Sequence, residues 1–500
     1  MAANLSGNPS TAVNLTNGVS VPAVHTDGVG SHHYYFHNIS EVDQSQRIAL
    51  ARPGAERNVL LIVVDALNAS HTGIYGYERN TTPNMDAIAS DGIVLTDWIS
   101  NSSWTRPSFT TIVTGVPKSV HGMELSERKL PKKIHTLPEK FRDAKYATAG
   151  FIGNPLIQKK WGYHRGFDVF RDASVYGDFP DAETIVTDAI EWLNRVKTTR
   201  FFGVLFLADP HAPYAAPTSS RLYSADLSDY VAAPERETEV PLPEDAIAKM
   251  VAAYDDEVRY ADAQFGRLME WLKKNGLFDS TAIVVTADHG EIFGAHHCYQ
   301  HAYHMWEPVL RVPFIVHSRD VAQRGFFELA ATHVDVMPTL LDLAGIKNTS
   351  AYGVSIFSDR RLRESDTGST DRNSFNAAPI YSAYDARGVR RQAARLGTLK
   401  LIRYEKIKSH AFTTRDATGQ ALETNPSLRI PGPRYELFDL EKDPLEQVNI
   451  IATTTRNAEL EILKKAVQYR KPTEKKAARE KRIQLDNDTL DALRAAGYIE

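Results

Sequence analysis

The run Val59-Leu-Leu-Ile-Val-Val64 is continuously apolar, rich in β-branched residues, and ends on Asp65. A strand with one wet face alternates polar and apolar residues. One with no polar position is buried on both faces, as in a parallel sheet covered by helices. Runs of the same kind recur at residues 202–207, 282–286 and 312–316, with helical patterns between them at 184–196 and 246–274 and after them at 334–343. Strands alternating with helices predict an α/β fold, a large mostly parallel sheet sandwiched by helices. Ligands of such sheets collect beyond the carboxyl ends of the strands. Asp65 stands in that position after the first run, and Asp288-His289 after the third.

With 42% hydrophobic and 24% charged residues among 500, the chain is not disordered throughout, and it has room for one large α/β domain with a smaller appendage. The near balance of 58 Lys+Arg against 62 Asp+Glu supplies no basic field for a nucleic acid backbone, so nucleic acid is not an expected partner. A single cysteine, Cys298, excludes intramolecular disulfides and Cys-rich zinc modules and fits a reducing compartment. The first 50 residues, rich in Asn, Ser, Thr, Gly and Val, lack the basic and apolar regions of a secretory signal and are expected to form a mobile arm. No apolar run approaches the roughly 20 residues of a membrane span, and a cytoplasmic location is expected. The catalytic domain is expected over 51–358. Past Ser358 the texture turns polar and then strand-like, which predicts a smaller α+β subdomain over 359–463 and a basic helical tail over 464–500.

Two segments carry chemistry. In Ser103-Trp-Thr-Arg-Pro-Ser-Phe-Thr-Thr-Ile-Val-Thr-Gly115, a Thr two residues before a Pro opens a short helical run closed by Gly. This predicts Thr105 at the N-cap, Pro107 in the first turn, and free backbone N–H groups that favour an anion. Thr105 is then either a cap alone or a nucleophile toward a bound oxyanion, if something makes its hydroxyl more acidic. In Thr286-Ala-Asp-His-Gly-Glu291, an acid, an imidazole and a glycine at a strand's end can bind one divalent cation. Asp65, Thr105, Asp288 and His289 together make a four-ligand O/N set suited to Zn or Mn, and a cation there would acidify the Thr105 hydroxyl.

The successive segments Asn58-Val-Leu-Leu-Ile-Val-Val-Asp65, Gly73-Ile-Tyr-Gly-Tyr77 with Thr82-Pro-Asn-Met-Asp86, Thr105-Arg-Pro-Ser108 through Gly115, His211-Ala-Pro-Tyr214, Thr286 to Glu291, Arg311-Val-Pro-Phe-Ile315, Val334 to Gly345 and Tyr435 to Pro444 resemble, in order, the motifs of the sulfatase family of the alkaline phosphatase superfamily. The departures carry information too. Where sulfatases have the Cys or Ser that becomes formylglycine, this chain has Thr105, from which formylglycine cannot form. The closing Arg of that motif is Phe109, the second aspartate of the family's pair is Ala66, and residues 151–154 and 300 also differ from the family's cationic pattern.

What remains resembles the superfamily's threonine-nucleophile branch of phosphodiesterases, phosphonate hydrolases and phosphotransferases. A formylglycine hydrate expels sulfate by collapsing to an aldehyde. A threonine ester has no such exit and must be cleaved by attack at the central atom, which favours phosphorus. The resemblance implies hydrolysis of a small phosphate mono- or diester or a phosphonate ester through a phosphothreonine. Sulfate ester hydrolysis without formylglycine, phosphotransfer to an alcohol, and a non-catalytic binding protein are the alternatives. It implies one divalent ion (Zn, Mn or Ca) on Asp65, Thr105, Asp288 and His289, catalytic roles for His211 and His301, and substrate contacts from Asn154 and Arg106. A second metal would fall to Asp209, His211 and His301. Within the His-dense stretch 296–304, only His301 is expected in the site, and Cys298 is expected as a buried thiol. Specificity for the organic group is expected from loops 175–181, 217–241 and 359–378.

Overall fold

The structure, a computed structural model, describes Ile48, Leu50 and residues 57–123, 128–176, 179–224, 242–301, 304–347, 352–358, 380–386, 389–406 and 434–468. The predicted arm, apart from Ile48 and Leu50, the basic tail beyond residue 468, loop 359–378 and parts of loops 175–181 and 217–241 lie outside those residues.

Eight strands make the main sheet: β1 (Asn58–Val64), β2 (Ile93–Leu95), β3 (Ala147–Ile152), β4 (Val169–Arg171), β5 (Phe201–Leu207), β6 (Thr281–Ala287), β7 (Phe314–His317) and β8 (Gly325–Phe327). Their order is β8-β2-β7-β6-β1-β5-β3-β4. All adjoining pairs are parallel except the two made by β7. The apolar runs therefore lie where expected. The exception has a simple cause. After β6, the chain stays at the carboxyl edge through residues 288–313 and re-enters the sheet from there, with no crossover helix to carry it back.

Helices α1 (Thr105–Thr114), α2 (Ala182–Val196), α3 (Glu244–Lys274) and α4 (Val336–Leu343) pack around this sheet, and the first turn predicted for α4 is instead a 3-10 turn at His333–Asp335. All ten residues of α1 are buried, Thr-rich though it is. Thr110, Thr111 and Thr114 donate to the carbonyls four residues back (2.7, 2.9 and 2.6 Å), which satisfies hydroxyls that would otherwise be stranded in the interior. Gly115 ends the helix in the left-handed region (φ 62°), as the sequence predicts. The cap itself differs from expectation. Trp104 is the N-cap and Thr105 the first helical residue, so the Thr105 hydroxyl is turned away from capping and toward His289.

The carboxy-terminal sheet is antiparallel, β9 (Ile380–Ala386), β10 (Val389–Leu396), β11 (Leu399–Lys406) and β12 (Arg434–Asp439) in that order, followed by α5 (Asn457–Ala466). Alternate residues divide its two faces. Ala394, Leu401 and Leu437 pack on Leu460 and Leu463 of α5, while Ala393, Ile402 and Phe438 join Trp104, Leu156 and Trp306 of the main domain. The second sheet thus buttresses the residue next to Thr105. No described helix is long and apolar enough to cross a membrane.

Candidate active site

Because β6, β1, β5 and β3 are parallel neighbours, their carboxyl ends share one edge. Val64 is opposite Leu207 on one side and Ala287 on the other. The next residues along each strand are therefore brought together: Asp65 after β1, Asp288 and His289 after β6, Asp209 to His211 beyond β5, and Asn154 beyond β3. Helix α1 adds Thr105 from across this edge.

Asp65, Thr105, Asp288 and His289 have no exposed surface. His289 Nε2 lies 3.5 Å from Asp65 Oδ1, 3.4 Å from Asp288 Oδ2 and 3.2 Å from Thr105 Oγ1. Among the described residues, the two carboxylates and the imidazole form the only group of three or more Asp, Glu, His or Cys residues whose ligand atoms all lie within 4.8 Å of one another. Each of the three side chains is held by its other polar atom. Asp65 Oδ2 accepts from Asn154 Nδ2 (2.6 Å), Asp288 Oδ1 accepts from the backbone N–H of His289 (2.8 Å) and of Ala66 (3.2 Å), and His289 Nδ1 donates to the Gly290 carbonyl (3.0 Å). That bond leaves the Nε2 lone pair facing the cluster.

A cation fits this arrangement. Asp65 Oδ1 and Asp288 Oδ2 are buried and accept no hydrogen bond, and both are aimed at the space beside His289 Nε2. Burial pushes both carboxyls above their usual range, Asp288 to about 7, and the nearby Asp288 pushes Asp65 further. Burial also holds His289 well below its ordinary value, with the neighbouring His301 adding to the effect, so the ring is a neutral donor. Two buried carboxylates remain ionised together only when a positive charge sits between them, and this donor set of two oxygens and one nitrogen suits a divalent ion.

The flanking residues follow. His301 Nδ1 is 3.1 Å from Glu291 Oε1, and its ring lies 4.2 Å from that of His289 and 4.8 Å from that of His211. His211 Nδ1 faces the Ala212 carbonyl (2.7 Å), Phe179 stacks on its ring, and burial, with His301 beside it, pushes its value down to about 3.

The sulfatase family model matches residues 57–346, more than half of the chain and all of the strands that carry this edge. The chain belongs to the sulfatase family. Among its relatives, a sulfatase of Formosa agariphila is 25% identical over 354 residues, covering 58% of this chain and 69% of that protein. Human arylsulfatase A is 26% identical over 450 residues, covering 81% of this chain and 84% of that protein. In fold, the chain is similar to a protein solved in complex with its substrate D-glucosamine-2-N,6-O-disulfate (TM-score 0.61, 21% identity, 82% of this chain and 96% of the other). It is equally similar to the phosphonate monoester hydrolase of Agrobacterium radiobacter (TM-score 0.61, 18% identity, 82% and 94%). The chain is thus a hydrolase of the sulfatase superfamily, with both kinds of enzyme among its structural neighbours.

The remaining expectations divide. Asn154 is fully buried with its amide on Asp65 and on the Leu156 N–H (2.8 Å), so its described bonds hold Asp65 in place. Arg106 is buried over the Trp161 ring (4.7 Å) and donates to the Arg128 carbonyl, and none of its described contacts is with the cluster. No second metal set converges among the described residues: Asp209 accepts from the Ala182 N–H at the start of α2 (2.9 Å), apart from the two histidines. Cys298 is a buried thiol, and His296 and His304 both stack on Trp306.

Sequence reasoning missed three supports. The Tyr254 hydroxyl, in the middle of α3, donates to the Ala66 carbonyl (2.7 Å) and accepts from the Asn68 N–H (3.0 Å). It thereby secures the turn after Asp65, where Ala66 adopts a left-handed conformation (φ 53°). The Ser100 hydroxyl donates to the Asp288 carbonyl (2.6 Å), and Ser382 of β9 donates to the Ser100 carbonyl (2.5 Å), which ties the second sheet to the site. Glu291 joins His301 to Tyr214. Only Glu291 lay in a motif that could have signalled it.

Proposed function

We propose that this protein is a metal-dependent hydrolase of phosphate or phosphonate esters that works through a covalent phosphothreonine on Thr105. The observation that carries the reading is the position of Thr105 Oγ1, 3.2 Å from His289 Nε2 at the point where the Asp65 and Asp288 oxygens converge. Asp65, Asp288 and His289, with the Thr105 oxygen, would hold a divalent ion, which would supply Lewis-acid charge beside the hydroxyl and the developing oxyanion. The residues of the chain do the rest. Thr105 gives up its hydroxyl proton to solvent, and Oγ1 attacks phosphorus in line with the departing ester oxygen, while the backbone N–H groups at the start of α1 face the anionic group. His211 and His301 hold the equatorial oxygens, and His301 gives the leaving oxygen its proton. Water then attacks phosphorus, one of its protons passing to His301, and frees Thr105. Asn154 and Tyr254 keep Asp65 in place throughout. Arg106 supplies positive charge behind the nucleophile.

A second reading, sulfate ester hydrolysis without formylglycine, is favoured by the names of the relatives. One panel separates the two: p-nitrophenyl phosphate monoester, diester, phenylphosphonate and sulfate, with protein stripped and reloaded with Mn or Zn. The expected result is phosphodiester or phosphonate turnover that disappears on stripping. Turnover of the sulfate alone overturns the proposal. Thr105→Ala should lower turnover by on the order of 10⁴-fold without changing the fold, and retained activity refutes the threonine mechanism.

A further inference from the structure

Glu291 lies outside the cation cluster, yet it is fully buried, with its carbonyl and both carboxylate oxygens engaged. Its backbone carbonyl accepts from Asn68 Nδ2 (3.0 Å), which fixes the main chain. Its carboxylate accepts from the Tyr214 hydroxyl (2.9 Å, Oε2) and lies 3.1 and 3.3 Å from His301 Nδ1. We propose that Glu291 is the positioning residue that holds His301 with its proton on Nδ1 and so presents Nε2, rather than Nδ1, to the departing ester oxygen. This rests on the proposed role of His301 in delivering a proton to that oxygen.

The argument is one of donor and acceptor chemistry. A carboxylate only accepts, so the imidazole nitrogen facing it must be the one that bears hydrogen. Nε2 lies on the far side of the ring, carries no described hydrogen bond, and belongs to a ring packed against His289 and His211 at the carboxyl edge of the sheet. Tyr214 fixes the second carboxylate oxygen, so the carboxyl plane, and with it the ring, has one orientation. The Glu291 carboxylate beside Nδ1 is a negative group able to balance a His301 ring that carries hydrogen on both nitrogens. In the transfer, the Nε2–H bond breaks and an O–H bond forms on the leaving oxygen as its bond to the central atom breaks. The Nδ1–H stays bonded toward Glu291, and no proton passes to the carboxylate.

The test uses metal-loaded full-length protein and 2,4-dinitrophenyl, p-nitrophenyl and phenyl esters of methylphosphonate, with the matching aryl sulfates as a parallel series. Glu291→Gln keeps the size of the side chain and removes its charge. Its kcat should fall more than KM changes, and the loss should grow from the dinitrophenyl to the phenyl ester by about 10²-fold, the scale of general acid assistance. Equal losses on all three esters would leave Glu291 a structural residue only and overturn the proposal. His301→Gln tells the two layers apart. If its losses do not grow with leaving-group basicity, the assignment of proton delivery to His301 fails. If they do and those of Glu291→Gln do not, the positioning role alone fails. A parent protein inactive on both series refutes both. Nitrogen NMR of the histidine-labelled parent gives a readout independent of turnover and of whether any variant folds: His301 with hydrogen on Nε2 and bare Nδ1 overturns the proposal.

Discussion

Replacing a metal ligand usually weakens a protein. Asp288→Asn should do the opposite once the metal is stripped. In the metal-free fold, Asp288 is buried beside Asp65, and its value rises from the ordinary 3.8 to about 7. The folded protein therefore holds this proton roughly three decades more tightly than the unfolded chain, and keeping the group ionised above pH 7 costs about 4 kcal/mol. The penalty is fully present above about pH 7 and fades as pH falls toward 3.8. Asp65 is raised as well, which extends the window upward. Asparagine escapes it. Its Oδ1 can still accept from the N–H groups of His289 and Ala66, and its Nδ2 faces Asp65 Oδ1 and His289 Nε2, both acceptors. Urea unfolding of the stripped proteins at pH 8 should show the variant more stable by about 2–4 kcal/mol, a gap that narrows by pH 5. Adding Zn or Mn should reverse the order, because only the parent gains the binding energy. A stripped variant less stable than the parent at pH 8, or an equal gap at both pH values, would refute the account of Asp65 and Asp288 as carboxylates held together for a cation.

Other consequences are more local. Asn154→Ala removes the donor to Asp65 Oδ2 and should weaken metal binding about 10- to 100-fold in competition with a chromophoric chelator; unchanged affinity would show that the 2.6 Å bond does not support the ligand. Gly290→Ala would bring a Cβ to 2.2 Å from the Pro308 carbonyl oxygen, next to the bond from the Gly290 N–H to Val309. A loss of about 3 kcal/mol in urea unfolding is expected, and a loss below 1 would mean that segment 307–309 yields easily.

The deepest support of the site joins distant parts of the chain, and this decides what a linear reading can see. The two-sided burial of β1, β5 and β6 is written into each segment alone, since it requires only that no position be polar. The same holds for the acidic residues that end these strands and for Gly115 as a stop. Asp65 and Asp288 were therefore legible as ends of strands, and family motifs linked them to Thr105. Pairing is not local. Ala66 donates to a carboxylate 222 residues away, and Tyr254 reaches Ala66 from the middle of a helix whose pattern speaks only of packing. Glu291 stands in a motif, yet its partner His301 faces it only because residues 292–300 fold back through a short antiparallel pair.

The cap of α1 shows the same division. Propensity favours Thr105 as the capping residue, but Trp104 takes that position with its side chain buried in one cluster with Leu156 from a turn and Ile402 and Phe438 from two strands, and the threonine hydroxyl is released to the cation cluster. By itself, the sequence determined the α/β class, the buried strands and the residue types that meet a cation and an oxyanion, because hydrophobic period and donor chemistry are properties of short segments. Only the tertiary structure decided which carboxyl oxygens lack donors, which nitrogen of each histidine faces the site and which tyrosine holds the turn after Asp65. Those depend on strand order and helix packing, where each contact is set by residues that are strangers in sequence.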